Sequence, residues 1–131
     1  MAVVPLLADQ EAGAEALAVF DDIRARRRTD HVNNFWRALA HDPALLRATW
    51  DRVQAVMAPG ALDPLVKEMI YIAVSTANGC DYCVHSHTAA ARAKGMSPAQ
   101  HAELLSVIAL AAQTNALATA LSVPVDDRFT L

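Results

Sequence analysis

Three segments of this chain open with the same two-residue signal, a capping side chain followed by proline. The pairs are Asp42-Pro43, Asp63-Pro64 and Ser97-Pro98. An Asp or Ser side chain accepts a hydrogen bond from the free N–H groups of a helix's first turn, and proline at the first helical position loses no hydrogen bond. Glycine is typical just past a helix C-terminus, and Gly60, Gly79 and Gly95 stand near the ends of the preceding segments. These signals predict an all-α chain.

Apolar residues recur at helical spacing between these signals and predict a bundle of about six helices. The expected ranges are about 9–27, 32–41, 43–58, 64–78, 80–94 and 98–121. In the first four helices the stripes expected to face inward are Ala16, Leu17, Phe20 and Ile23; Phe35, Trp36 and Leu39; Leu46, Trp50, Val53 and Met57; and Leu65, Met69, Ile72 and Ala73. Residues 70–74 are rich in β-formers, but the capped flanks favour helix.

The 131 residues are enough for one domain with a core, and we expect a single domain over residues 1–131. A formal charge of −3 gives no electrostatic reason to expect nucleic acid or an anionic membrane as partner. The one basic run, residues 24–28, closes a helical pattern and is expected to be a solvated helix end. A hydrophobic content of 54% is high for a small domain and predicts a homo-oligomer with apolar surface in its interfaces.

Nothing in the sequence predicts export or membrane insertion. Residues 1–8 are apolar but have no basic region before them, and they run into Asp9 and Glu11. The longest apolar run, about 104–112, contains Ser106 and is too short to span a bilayer. A cytoplasmic location is therefore expected.

Both cysteines lie in one short stretch with two of the five histidines, Cys80-Asp81-Tyr82-Cys83-Val84-His85-Ser86-His87. In a helix, the spacings of three and four place Cys80, Cys83 and His87 on one face. A CxxC pair in a chain without an export signal favours redox catalysis or metal binding over a structural crosslink. Glu68, twelve residues before Cys80, falls on the preceding helix.

The two cysteines are favoured as nucleophile by different arguments. Cys80 lies at the start of a helix, where the partial positive charge stabilises a thiolate. Cys83 lies four residues before His87, which could serve as its base. At CxxC spacing the two can close a disulfide and run a two-electron cycle. If the fourth and fifth helices pair across the turn at Asn78-Gly79, Glu68 can orient or charge His87.

A metal site is the rival interpretation. Thiolate, imidazole and carboxylate all bind zinc, so Cys80, Cys83 and His87, with His85 or Glu68, could form a non-catalytic zinc-binding or redox-sensing module. Against it, three ligands on one short stretch of helix differ from the usual arrangement, in which ligands come from separate elements. His85 is expected to face away from His87, and Tyr82 to pack or to line a pocket.

The segment from Pro64 to about Gln100, with Glu68 followed by Cys80, Cys83 and His87, resembles the alkylhydroperoxidase D-like (carboxymuconolactone decarboxylase) family. The resemblance implies an all-helical fold assembled as trimers or hexamers. It implies a peroxidase in which Cys83 attacks an organic hydroperoxide, His87 and Glu68 relay the proton, and Cys80 closes the disulfide. It further implies an external dithiol reductant, such as a lipoyl-type partner, and no organic cofactor or metal. The cysteine pair argues against the family's decarboxylase activity.

Overall fold

The computed structural model describes residues 1–130, and within that range the chain is all-α, with no strand. This confirms the predicted fold class. The six helices are α1 (Ala14–Arg27), α2 (Asn34–Leu39), α3 (Pro43–Met57), α4 (Pro64–Ala77), α5 (Asp81–Ala93) and α6 (Pro98–Ala120), followed by one 3₁₀ turn, Asp127–Phe129. The side chains of Asp42, Asp63 and Ser97 cap α3, α4 and α6 by accepting from backbone N–H groups.

The largest difference from the sequence-based boundaries is at α1, which begins at Ala14 rather than near Asp9. A separate turn takes up the preceding residues, in which the N–H groups of Glu11 and Ala12 both donate to the carbonyl of Ala8. The Glu11 carboxylate in turn accepts from the N–H of Ala8 at 2.8 Å. The local side-chain bond therefore competes with helix at these positions.

The chain divides into two compact units, Met1–Ala58 and the part from Pro59 onward. The expectation of a single domain stays a prediction. In the first unit, α1, α2 and α3 surround one hydrophobic core. Its buried members are Ala16, Val19, Phe20, Ile23, Val32, Trp36, Ala40, Leu46 and Trp50. The predicted stripes of α1 and α3 supply much of it, but Phe35 of α2 was expected inside and is 42% exposed. Helix α2 has only six residues, so it buries Trp36 and leaves its neighbour outside.

Asp22 joins α1 to α3 in this unit. Its Oδ2 accepts from the indole N–H of the buried Trp50 at 2.8 Å and from Arg47 at 3.2 Å. Its Oδ1 accepts from Arg26 at 2.9 Å. The hydrogen bonds from Trp50 and Arg26 lower the pKa of Asp22 and keep the carboxylate charged.

The basic run closes α1 as predicted, but its side chains are not simply solvated. Arg24 donates to Asp9 at 2.6 Å and Arg26 to Asp22. Arg27 lies over the ring of Trp50, 5.2 Å from its centroid. The run therefore helps to hold this unit together.

In the second unit, α4 and α5 form the principal helix pair and α6 packs on α4. The core consists of Ile72, Ala91 and Met96, with Leu65, Met69, Leu104 and Ile108 packed against them. The inward stripe predicted for α4 is confirmed, since Ile72 is buried and Leu65, Met69 and Ala73 are partly buried.

Helix α6 exposes most of its surface within the described chain. None of its residues is buried, and Leu105, Val107, Leu110 and Leu117 are among its exposed large apolar side chains. Its 23 residues are long and apolar enough to cross a membrane by length and composition, which for a single helix is weak evidence.

Replacement of Asp22 by alanine should lower the free energy of unfolding by about 1–3 kcal/mol, because the indole N–H of Trp50 loses its acceptor in the core. Both tryptophans lie in this unit, so tryptophan fluorescence during urea unfolding measures it directly. The matched control is Asp51→Ala, which removes an exposed carboxylate 3.4 Å from Arg47 and should cost less than about 0.5 kcal/mol. Equal losses in the two variants would contradict this role for Asp22.

Candidate active site

The turn between α4 and α5 fixes the position of the cysteine pair. The N–H of Cys80 donates to the Ser75 carbonyl at 2.9 Å and that of Gly79 to the Thr76 carbonyl at 3.2 Å. These are the two hydrogen bonds of a Schellman motif, and Gly79 has the positive φ, 68°, that the motif requires. Cys80, whose N–H makes the last of these hydrogen bonds to α4, is also the N-cap of α5. The sequence-based range placed Cys80 inside the helix, and the structure moves it to the cap.

Cys80 and Cys83 form a disulfide across the first turn of α5, with their Cα atoms 5.3 Å apart. Both residues are half-buried. The sulfur of Cys80 accepts a hydrogen bond from the backbone N–H of Cys83 at 3.3 Å. After reduction, that N–H and the positive end of α5 would stabilise a thiolate on Cys80. The N–H of Cys83 is thus a specific hydrogen-bond donor for the thiolate predicted at Cys80.

The structure brings Glu68 and His87 together. Nδ1 of His87 lies 2.7 Å from Oε2 of Glu68, which joins the middle of α5 to α4. The Glu68 side chain is 5% exposed and that of His87 is 21% exposed. With Nδ1 bound to the carboxylate, Nε2 is the ring nitrogen that remains to exchange a proton. Among residues 1–130, no hydrogen bond joins His87 to either sulfur in this oxidised form.

Lys94 is a third member of this cluster that the sequence analysis did not identify. Its Nζ donates to Oε1 of Glu68 at 2.9 Å, so each carboxylate oxygen has its own partner. Burial raises the pKa of Glu68, but the hydrogen bonds and positive charges of His87 and Lys94 together hold it below its usual range. Glu68 is therefore a buried carboxylate that stays ionised.

Tyr71 is a fourth, also not identified from the sequence. Its ring stacks on the imidazole of His87, with centroids 3.5 Å apart and planes inclined by 18°. Glu68 and Tyr71 lie one turn apart on α4. This helix therefore contacts the imidazole twice, through the Glu68 carboxylate at Nδ1 and through the Tyr71 ring on its face. The sequence signal for these residues is helical spacing, since Tyr71 follows Glu68 by three positions and Lys94 follows His87 by seven, but spacing does not distinguish them from other residues on the same helix faces.

The other two candidates on α5, His85 and Tyr82, are both exposed. Within residues 1–130, no three His, Cys, Asp or Glu side chains are grouped as metal ligands would be. The two sulfurs that the zinc interpretation would use are joined in a disulfide, and Nδ1 of His87 is hydrogen-bonded to Glu68.

Comparison with known proteins gives concordant matches. The profile of the carboxymuconolactone decarboxylase family matches residues 43–126. An uncharacterized protein of Cupriavidus necator is 32% identical over 83 residues, which are 63% of this chain and 74% of the relative. The crystal structure of an alkylhydroperoxidase AhpD core from Rhodospirillum rubrum is 66% identical, with a TM-score of 0.96 over 100% of this chain and 98% of that one. The resemblance seen in the sequence is confirmed.

The lowered pKa of Glu68 predicts how this residue contributes to stability as the pH changes. A carboxyl group whose pKa is lower in the folded than in the unfolded state contributes fully above its unfolded pKa, and the contribution is lost as the pH falls through the folded pKa. The wild type should therefore exceed Glu68→Gln in free energy of unfolding at neutral pH, and the difference should shrink on acidification below the usual glutamate range.

Urea unfolding followed by circular dichroism over a pH series measures this difference. Asp9 and Asp22 also have lowered pKa values, but they are present in both proteins and cancel. A difference that is independent of pH would show that Glu68 titrates alike in the folded and unfolded states.

Proposed function

The chain belongs to the carboxymuconolactone decarboxylase family, and on that premise we propose that it is a thiol-dependent peroxidase that reduces organic hydroperoxides. The observation that carries the proposal is a redox-capable cysteine pair at Cys80 and Cys83 on the helix that also presents a buried Glu68–His87 pair. The alkylhydroperoxidase AhpD core from R. rubrum, 66% identical over the whole chain, supports the same reaction class.

In the proposed first step, His87 accepts the proton of the Cys83 thiol and the thiolate attacks the terminal oxygen of the hydroperoxide. An S–O bond forms and the O–O bond breaks, which leaves a sulfenic acid on Cys83. The departing alkoxide takes the proton from His87 and leaves as an alcohol. Glu68 keeps Nδ1 of His87 occupied, so that Nε2 serves as the proton-exchanging atom.

In the second step, the thiolate of Cys80 attacks the sulfur of Cys83. An S–S bond forms, the S–O bond breaks, and the hydroxide that leaves takes up the proton that Cys80 released on becoming a thiolate, which gives water. Overall, two thiols are oxidised to one disulfide, and the hydroperoxide gains two electrons and two protons to become alcohol and water.

The cycle closes when an external dithiol reduces the Cys80–Cys83 disulfide. Thiol–disulfide exchange proceeds faster when the leaving thiol is stabilised as a thiolate. The hydrogen bond from the Cys83 N–H favours Cys80 as that leaving group when the reductant attacks Cys83. The reductant is a dithiol of lipoyl type in this proposal, and no metal or organic cofactor takes part.

The proposal extends to assembly and location. We place the protein in the cytoplasm as a homo-oligomer, a trimer or hexamer, of single-domain chains. The exposed apolar side chains of α6 support assembly, because monomeric soluble proteins rarely leave such large apolar patches in water.

Two single-cysteine variants test the assignment of nucleophile. Cys80→Ser should still consume one equivalent of an organic hydroperoxide and stop at a sulfenic acid on Cys83, because no second thiol remains to close the disulfide. Cys83→Ser should not react at a comparable rate. Sulfenic acid trapping followed by mass spectrometry measures both, with the disulfide-forming wild type as reference.

The opposite pattern, with a sulfenic acid on Cys80 in Cys83→Ser, would reverse the roles of the two cysteines. Inertness of the wild type together with metal bound in stoichiometric amount would instead favour the zinc-binding or redox-sensing module.

A further inference from the structure

Lys94 is a charged residue in direct contact with the site that the proposed cycle leaves without a role. Its Nζ lies 2.9 Å from Oε1 of Glu68, on the carboxylate oxygen that His87 does not use. We propose that Lys94 is a positioning residue for the relay, one whose ammonium group keeps Glu68 charged and directed at His87 while His87 gains and loses its proton. The inference rests on the proposed peroxidase function.

The backbone places Lys94 with the same device that places the cysteines. Lys94 is the C-cap of α5, and a second Schellman motif follows it, in which the N–H of Met96 donates to Ala91 and that of Gly95 to Arg92, both at 3.0 Å. Met96 and Ala91 are buried together in the core of this unit. The position of the lysine is therefore fixed by the fold, although its side chain is 40% exposed.

Charge balance gives the lysine its role. With His87 neutral, Glu68 and Lys94 together carry no net charge; with His87 protonated, the three groups carry one positive charge. Without Lys94, the neutral state of His87 would leave a carboxylate that is 5% exposed with no counter-charge. Because burial penalises an uncompensated charge, the carboxyl would then compete for the proton that His87 must transfer.

The other groups around Glu68 do not replace the lysine. His87 of α5 and Lys94 at the C-cap of α5 are the titratable side chains that bond to Glu68, and Tyr71 of α4 contacts the imidazole through its ring face. Helix α6 contributes apolar Leu104 and Ile108 to this unit's core. Burial raises the pKa of Glu68, and the interactions with His87 and Lys94 outweigh it, so that the pKa of this carboxyl is lowered.

The test compares Lys94→Met with Lys94→Arg, which keeps the charge. The matched control is Arg92→Met, which removes one positive charge from an exposed position on the last turn of the same helix. The first readout is the titration of the Glu68 carboxyl carbon by ¹³C NMR, which needs no turnover. Lys94→Met should raise the midpoint, whereas Lys94→Arg and Arg92→Met should leave it near that of the wild type.

The second readout is the pH profile of hydroperoxide consumption. Lys94→Met should lose at least about tenfold in rate, part of the roughly 10²–10⁴ that general acid–base catalysis contributes, with its acid limb at higher pH than in the wild type. Lys94→Arg, which keeps the positive charge, should retain the rate of the wild type and the position of its acid limb. A purely structural role would lower the fraction of folded protein, which circular dichroism reports, without moving the limb.

The two hypotheses fail separately. An unchanged Glu68 midpoint in Lys94→Met overturns the role of Lys94, even if the peroxidase reaction is normal. A wild type that does not consume hydroperoxide overturns the proposed function, and with it the relay that Lys94 was inferred to serve.

Discussion

The carboxylate of Glu68 is buried between the imidazole of His87 on α5 and the ammonium group of Lys94 at the C-cap of α5, and the site depends on that arrangement. A buried carboxylate is stable only when its oxygens are hydrogen-bonded and its charge is compensated. Here His87 takes one oxygen at 2.7 Å and Lys94 the other at 2.9 Å, so α4 and α5 are joined at two points two turns apart. The same bonds orient the imidazole, and Tyr71 supports its face. Packing and proton transfer therefore use the same contacts.

The ends of α5 complete this arrangement. A Schellman motif with a glycine at positive φ lies just outside each end of the helix. Gly79 belongs to the motif before α5 and Gly95 to the motif after it. The first motif sets Cys80 as the N-cap of α5, where its sulfur meets a free backbone N–H. The second sets Lys94 against Glu68. Helix α5 thus carries the redox pair at its start, the base in its middle and the counter-charge at its end, at positions set by backbone hydrogen bonds.

Much of the fold and half of the cluster could be predicted from the sequence. The Asp-Pro and Ser-Pro signals predicted three helix starts because capping is a local interaction, and the motif predicted Glu68, Cys80, Cys83 and His87 as site residues.

The predicted start of α1 was wrong because the Glu11 side chain bonds to the N–H of Ala8 within the preceding turn. Phe35 was misplaced because a six-residue helix buries only one side of itself. Lys94 and Tyr71 were missed since a lysine at a helix end and a tyrosine on an apolar helix have ordinary explanations, and only the contact between α4 and α5 distinguishes them.

The proposed function requires the cysteine pair and the Glu68–His87 pair to act together in the reduction of hydroperoxides. Its most direct test is a count of free thiols in the fully reduced wild type before and after one equivalent of an organic hydroperoxide. We expect the rapid loss of two thiols per chain, the release of one equivalent of the corresponding alcohol, and recovery of both thiols on addition of a dithiol. Two thiols that remain free and metal-free after exposure to the hydroperoxide would contradict it.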